Sequence, residues 1–324
     1  MKITKSTAKR PVLPSPAFYN PWLSGKFEIK AGFHRLAKDF GNGDLDSRIF
    51  QIDNQYEYYL SEKDISFNDT RNQHYLSSDL TDITYLKTID LLLTLLKKEY
   101  SAYFNIKTTD GNITVENSLT NEFLFLEHNG SIVKSKSRTR HHYKDGLDAL
   151  CMQLQEDFSI IEPARENRVS MLNISFPNHW APEDKIGKSF ITIHDPVPNM
   201  ENINKNAHAL ISSTKSKGPF VRFAWGLSSS ERLNCHPDHS KTSESTRKFN
   251  SDSRLYVRLE RQTLIKIPGT ESVLFTIRTY FYNVHQLSSD DKSYLIAALN
   301  TMETKTMIYK GLEQNIEAII STIL

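Results

Sequence analysis

With 324 residues, 38% hydrophobic and 24% charged, the chain suits one large folded domain or two ordinary ones, and its composition is not that of a disordered protein. Forty Lys and Arg against 38 Asp and Glu leave a formal net charge of +2, which points away from a nucleic-acid or anionic-membrane binder. Two cysteines, Cys151 and Cys235, are too few for a disulfide framework or a four-cysteine metal site and fit a reducing compartment.

The N-terminus is basic (Lys2, Lys5, Lys9, Arg10) but no apolar stretch follows it, so no secretory signal is expected. No window approaches the roughly 20 apolar residues that span a bilayer. The expected location is cytoplasmic. Residues 1–30 form an N-terminal arm whose Pro14–Trp22 part, rich in proline and aromatics, is expected to lie over the domain. Residues 31–324 are read as a single domain, helical to about 165, a sheet core to about 285, then closing helices. Gln51–Leu60 predicts a helix with Tyr56 and Tyr59 on one side, and Tyr85–Tyr100 predicts a buried helix from its Leu86, Ile89, Leu92, Leu93 and Leu96 spacing. Ile113–Leu126 mixes strand and helix cues and is left open. Lys134–His142 is a basic run, read as a solvated loop with His141 and His142 exposed.

Leu147–Ile161 predicts a helix with Leu147, Leu150, Cys151, Leu154, Phe158 and Ile161 on its apolar face and Gln155, Glu156 and Asp157 off it. Cys151 is then a small core residue. Met171–Phe176 and Phe190–His194 read as strands around a loop containing Trp180 and Lys185–Gly187. Asp195-Pro-Val-Pro198 stops the second run, since proline lacks a donor and biases its predecessor towards an extended shape. His194 therefore closes a rigid strand, where an imidazole suits a ligand or base and equally an ordinary histidine capping a sheet. Ala207–Ile211 reads as a short helix and Pro219–Leu227 as a strand, with a polar segment over 228–253. Arg254–Ile267 and Ser272–Val284 read as a hairpin across Pro268–Glu271. Ser288 with Asp291 is a capping box, and a last helix is expected from about Thr301 with Tyr309, Leu312, Ile316, Ile319 and Ile323 as its stripe. The fold class is α+β, an antiparallel sheet between helices.

No nucleophile elbow, phosphate-binding loop, His-Glu-x-x-His, dinucleotide fingerprint or Cys-x-x-Cys occurs. Cys235-His-Pro-Asp-His239 holds ligand-type residues, but they lack the further ligands of an established metal spacing and read as a polar loop. In the hairpin, Arg258 and Glu260 alternate onto one face and Arg261 onto the other. The register across the turn is not readable, and a slip of one residue would exchange faces. The bland reading is a solvated face with cross-strand ion pairs; the functional one is a pocket in which arginines hold anionic groups and a carboxylate orients a cation.

Four ordered blocks carry a family resemblance: LQEDFSII (Leu154–Ile161), FPNHWAPEDKIGKSFITIHDPVP (Phe176–Pro198), VRFAWGL (Val221–Leu227) and ERQTLIKIPGTESVLFTIRTY (Glu260–Tyr280). Across residues from about 150 to 285 the chain resembles the haem-dependent oxidative N-demethylase α-subunit family, with Ala31–Leu36 fitting more weakly. The resemblance implies a PAS-like antiparallel sheet wrapped by N-terminal and C-terminal helices and holding haem b. It makes His194 the iron ligand, and it places Arg222, Arg261 and Arg278 as cofactor-binding residues. Glu260, Arg222 and Tyr280 are the implied catalytic set, Arg222 and Arg278 facing propionates or bound oxygen, Glu260 in the distal pocket and Tyr280 as an aromatic wall. Ala224 stands before Trp225 where the family leads one to expect asparagine. The implied reaction is monooxygenase-type oxidation of a methyl group on a small secondary or tertiary amine such as dimethylamine, giving formaldehyde and the shorter amine. Oxygen is the co-substrate, and a partner reductase carrying FMN and a 2Fe-2S centre supplies electrons. A haem-binding PAS-like sensor without turnover, and a degenerate relative without haem, are the alternatives.

Overall fold

The computed structural model describes residues 12–69, 71–136, 143–238, 246–247, 249 and 254–324. His141, His142 and His239 lie outside them. The arm lies over the protein: Ala17, Tyr19 and Trp22 are buried in one apolar cluster with Leu259, Tyr280 and Leu299. A short strand, β1 (His34–Arg35), follows, and then the first helices, α1 (Tyr56–Asp69) and α2 (Arg71–His74), lead into β2 (Tyr75–Ser77) and α3 (Asp82–Glu99). The α1 helix starts at Tyr56 rather than Gln51 because the backbone of residues 51–53 bonds side chains from elsewhere in the fold. On α3, the Thr81 hydroxyl accepts from the Thr84 N–H and the Ile89, Leu92, Leu96 face is buried, as its spacing predicts.

The N-terminal half is not all helical. Strands β3 (Phe104–Thr109), β4 (Asn112–Asn117), β5 (Glu122–Leu126) and β6 (Ile132–Lys136) form an antiparallel meander. Its buried Val115, Leu124 and Leu126 join the same core as α3. The first turn is Asp110-Gly111 with φ of +50° and +79°, a hairpin pair that accepts left-handed backbone. This settles the open stretch 113–126 as two strands.

The helix expected over Leu147–Ile161 is a correction. Only α4 (Gly146–Cys151) is helical, and β7 (Asp157–Glu162) follows. Gln155, Glu156 and Asp157, placed off the apolar face by helical spacing, are all buried. No polar face exists to turn to water, because these side chains bond buried backbone: Gln155 Oε1 accepts from the Asp53 N–H at 3.0 Å, and Asp157 accepts from the Ser175 and Phe176 N–H groups at 2.8 and 2.9 Å. Cys151 is a core residue, and neither cysteine is in a disulfide.

The remaining strands are β8 (Arg168–Asn173), β9 (Phe220–Ser228), β10 (Tyr256–Lys266) and β11 (Val273–Asn283). Between β8 and β9 lie α5 (Phe190–His194) and α6 (Glu201–Lys217). The main sheet has the order β1-β9-β10-β11-β7-β8-β2, and every pair is antiparallel. The β10–β11 hairpin forms where expected, with Pro268 and Gly269 (φ +78°) at the corners. Its register sets Arg261 opposite Arg278 and Glu260 opposite Thr279. Helices α7 (Ser289–Asn300), α8 (Thr304–Lys310) and α9 (Ile316–Ile323) close the chain. Ser288 caps α7, its hydroxyl accepting from the Asp291 N–H. The single last helix expected from Thr301 is instead two, because Gly311 leaves α8 in a left-handed conformation (φ +71°). No helix among the described residues is long and apolar enough to cross a membrane.

One face of this sheet packs on the core and carries a polar layer. Arg278 Nη2 donates to Asp53 Oδ2 at 2.7 Å, both side chains being fully buried, and Nη1 donates to Thr279 O. Arg261 donates to Ile49 O and Arg48 O, and the Tyr280 hydroxyl to Gln51 Oε1. Breaking a buried pair strands a charge and costs about 3–5 kcal/mol. Arg278→Met is therefore expected to lower the unfolding free energy by about that amount in a urea titration. Arg222, half-buried on the opposite face with one 3.3 Å bond to Lys30 O, should cost no more than about 1 kcal/mol as Arg222→Met. Equal losses would show that the two faces are not divided in this way.

Candidate functional site

Side chains alternate across a sheet, so Arg222, Ala224 and Gly226 of β9, Glu260 and Gln262 of β10 and Ile277 of β11 share the face opposite Arg261 and Arg278. All six are half-buried although they sit in central strands. The ends of this face are covered. At one end Phe190 and Ile211 pack with Leu264, Val273 and Phe275; at the other Arg258 is buried, donating to Arg232 O, Leu233 O and Phe176 O. Between those ends Arg222, Ala224, Gly226 and Glu260 are half-buried rather than covered, a shallow hollow in the face.

His194 reaches this hollow from a helix, which corrects the strand expected at Phe190–His194. The alternating apolar pattern is overruled by a cap: the Ser189 hydroxyl accepts from the Thr192 N–H. The preceding loop braces the helix, with Lys185 Nζ donating to Ile193 O at 3.1 Å and Trp180 and Ile186 packed in a cluster with Ile193. The imidazole lies against the Phe190 ring at 4.2 Å between centroids, and its Nδ1 is 2.7 Å from Phe190 O. A carbonyl only accepts, so Nδ1 carries the hydrogen and Nε2 keeps its lone pair. Burial pushes the pKa down to about 4; the bond to Phe190 resists, and the nearby Arg222 and Lys185 cations add to the fall. The ring is neutral at pH 7, and Nε2 is a ready metal ligand whose other nitrogen is held on a carbonyl.

Arg222 stacks loosely on Phe33, 5.9 Å from the ring, and its Nε is a buried donor without a partner. Burial lowers its pKa and Glu260 raises it. Glu260 accepts one hydrogen bond, from Gln262 Nε2 at 3.0 Å. A further residue, absent from the sequence expectations, completes the wall: Lys310, at the end of α8, donates to Trp225 O at 2.9 Å above Gly226. In the sequence it reads as an ordinary cation in a last helical turn, 310 − 260 = 50 positions from Glu260, and no local pattern marks it.

The structure thus sets Arg222 near both His194 and Glu260 and turns Arg261, Arg278 and Tyr280 the other way. The reason is strand parity together with an unbroken register: Arg261 opposes Arg278, and Tyr280 follows Arg278 by two. Their polar groups are engaged with residues 48–53 and Thr279, and burial raises the Tyr280 pKa far above its ordinary value. Ala224 lies on the floor of the hollow, opposite Glu260. Elsewhere, His236 is buried with both ring nitrogens bonded: Nε2 to both Glu183 oxygens at 3.1 Å, and Nδ1 accepting from the Asp238 N–H. Glu183, His236 and Asp238 bring three possible ligand atoms together, away from His194. Two clefts of about 500 Å³, one by Arg247, Phe249 and Ile308 and one by Arg165, Arg168 and Ser189, include none of the gathered residues.

Comparison with known families now bears on this face. A family model described as haem-dependent oxidative N-demethylase, alpha subunit-like, matches residues 43–320, which takes in all of α5, β9, β10, β11 and α8. The chain belongs to the haem-dependent oxidative N-demethylase, alpha subunit-like, family.

Proposed function

We propose that the open face of the main sheet is a haem site and that the protein oxidatively removes a methyl group from a small amine. The observation that carries this reading is the neutral His194 imidazole near Arg222, its Nδ1 anchored on Phe190 O so that Nε2 keeps its lone pair. The residues present fit the group. His194 would hold the iron, and the orphaned Nε of Arg222 is suited to a propionate. When bound, haem supplies the oxygen chemistry that converts the methyl carbon to formaldehyde and leaves the shorter amine.

The chain's own residues contribute orientation. Glu260 would hold the protonated amine, since its carboxylate has one hydrogen bond and stands in a partly desolvated hollow where a cation is bound more strongly than in water. The packing of Phe190 and Ile211 at one end and of Arg258 at the other restricts water to the middle of the face. Arg261, Arg278 and Tyr280 act here as positioning residues: they fasten β10 and β11 to the core and so hold Glu260 in place. The family description, which names an alpha subunit, supports a partner that delivers electrons, and we assign that role to a reductase with FMN and a 2Fe-2S centre.

Purified protein reconstituted with haem is expected to show a Soret band that His194→Ala loses. With a reductase, oxygen and dimethylamine, the wild type should release formaldehyde above that control. A wild type without a Soret band would overturn the haem site; a Soret band without formaldehyde would leave a haem-binding protein that is not a demethylase.

Glu260→Gln should keep the Soret band and raise the KM for the amine about tenfold, the scale on which one charge-assisted contact is lost. An unchanged KM would remove Glu260 from substrate binding.

A further inference from the structure

We propose that the amine accepted here also carries a carboxylate: the substrate class is an N-methylated amino acid, its ammonium on Glu260 and its carboxylate on Lys310. This rests on the demethylase reading above and narrows it.

The argument begins with register. Glu260 lies beside Ala224, and the next position of β9 on the same face is Gly226. These two small residues leave the floor low. A Cβ added to Gly226 would meet one neighbour within 4 Å, Lys310 Nζ at 3.6 Å. Lys310 therefore overhangs the floor one residue pair along from Glu260.

Hydrogen-bond accounting supplies the second step. An ammonium has three donors. Among the described residues that of Lys310 makes one hydrogen bond, to Trp225 O, and stands 5.3 Å from the Phe27 ring, which supplies no acceptor lone pair. Two donors are left for a ligand. Glu260 has spare acceptor capacity as well, with Gln262 its one donor. Glu260 raises the Lys310 pKa, yet among the described residues the two make no ion pair. Opposite charges that are partly desolvated and held apart leave both incompletely compensated. A dimethylammonium ion would satisfy Glu260 alone. A zwitterion with its charges separated by one carbon completes both, and Arg222 on the other side of Glu260 stays available to the cofactor.

The charge on Lys310 also sets a pH limit. Burial pushes its pKa down to about 8, Arg247 pushes the same way and Glu260 opposes them. Tyr309, the neighbouring titratable group on α8, is raised by burial and stays neutral there. Below about pH 8 the ammonium is charged, and above it the carboxylate contact is lost.

The test is calorimetric titration of the full-length protein with N-methylglycine, dimethylamine and acetate, repeated as KM values on the haem-loaded enzyme. Wild type should bind N-methylglycine about tenfold more tightly than either fragment, with the advantage shrinking as pH rises through the Lys310 value. Lys310→Met should abolish the advantage while keeping the Soret band. Lys310→Arg should retain it and extend it to higher pH. Gly226→Val, which fills the floor beneath the Lys310 ammonium and leaves both charges in the chain, should weaken N-methylglycine more than dimethylamine and serves if Lys310→Met does not fold. Equal binding of N-methylglycine and dimethylamine by the wild type overturns the proposal, as does a Lys310→Met protein that loses haem rather than the preference. Either result leaves the demethylase reading standing, whereas a wild type without a Soret band defeats that reading separately.

Discussion

The structure depends on how residues 48–53 are held. This segment runs through the interior without belonging to a helix or sheet, and Phe50, Gln51, Ile52 and Asp53 are fully buried. Buried backbone groups that lack secondary structure need side chains as partners. These needs are met from several elements. Arg261 takes the carbonyls of Arg48 and Ile49, Glu156 accepts the Gln51 N–H, Gln155 accepts the Asp53 N–H, and the Tyr100 hydroxyl donates to Phe50 O. Arg278 then closes on the Asp53 carboxylate, and Lys63 of α1 reaches the carbonyls of Cys151 and Glu156. Sheet, α1 and the 153–157 connection are thereby fastened to one another through a single strand of chain. A buried polar layer in which most groups are paired across elements holds those elements in one arrangement.

This explains why the arginines of the hairpin divide as they do. β10 and β11 present alternate residues to two environments. Towards the core, Arg261 and Arg278 meet a set of acceptors that only the 48–53 segment provides. Away from it, Glu260, Gln262 and Arg222 meet a hollow. The same strands hold the protein together with one row of side chains and expose an unfinished constellation with the other. Rigidity on the first side is what lets the second hold its geometry without contacts of its own, which is the condition a binding site needs for preorganisation.

Much of the architecture was legible in the sequence where one local signal decided the outcome. The α3 stripe, the Ser288 cap and the β10–β11 hairpin are all local. Errors arose where a distant partner decided. Gln155 and Glu156 look like the polar edge of an amphipathic helix until the 48–53 backbone is brought against them, and the 147–161 helix then has no reason to continue. Asp110-Gly111 was a different case: the hairpin signal stood in the sequence beside the stretch left open. His194 was singled out from the block that contains it, although the strand drawn around it is a helix started by Ser189. Alternation placed Arg261 on the face opposite Glu260, but Arg278 and Tyr280 could not be assigned a face from their block, because the register across Pro268–Glu271 is set by pairing over the whole hairpin. Lys310 carried no signal at all, since its relation to Gly226 exists only after α8 folds back onto β9.

Charge compensation separates the two faces without reference to any family. On the core side the Arg278 cation has a carboxylate at 2.7 Å and Arg261 has two carbonyls. On the open side Arg222, Glu260 and Lys310 influence one another, but none closes an ion pair with another. Folding alone gives no reason to leave three such charges incomplete on a half-buried face, because a buried ion pair replaced by apolar residues is often neutral or stabilising. Their retention is understandable if a molecule that is not part of the chain supplies the missing partners. The polarity that would complete them follows from the charges themselves: anionic for Arg222 and Lys310, cationic for Glu260.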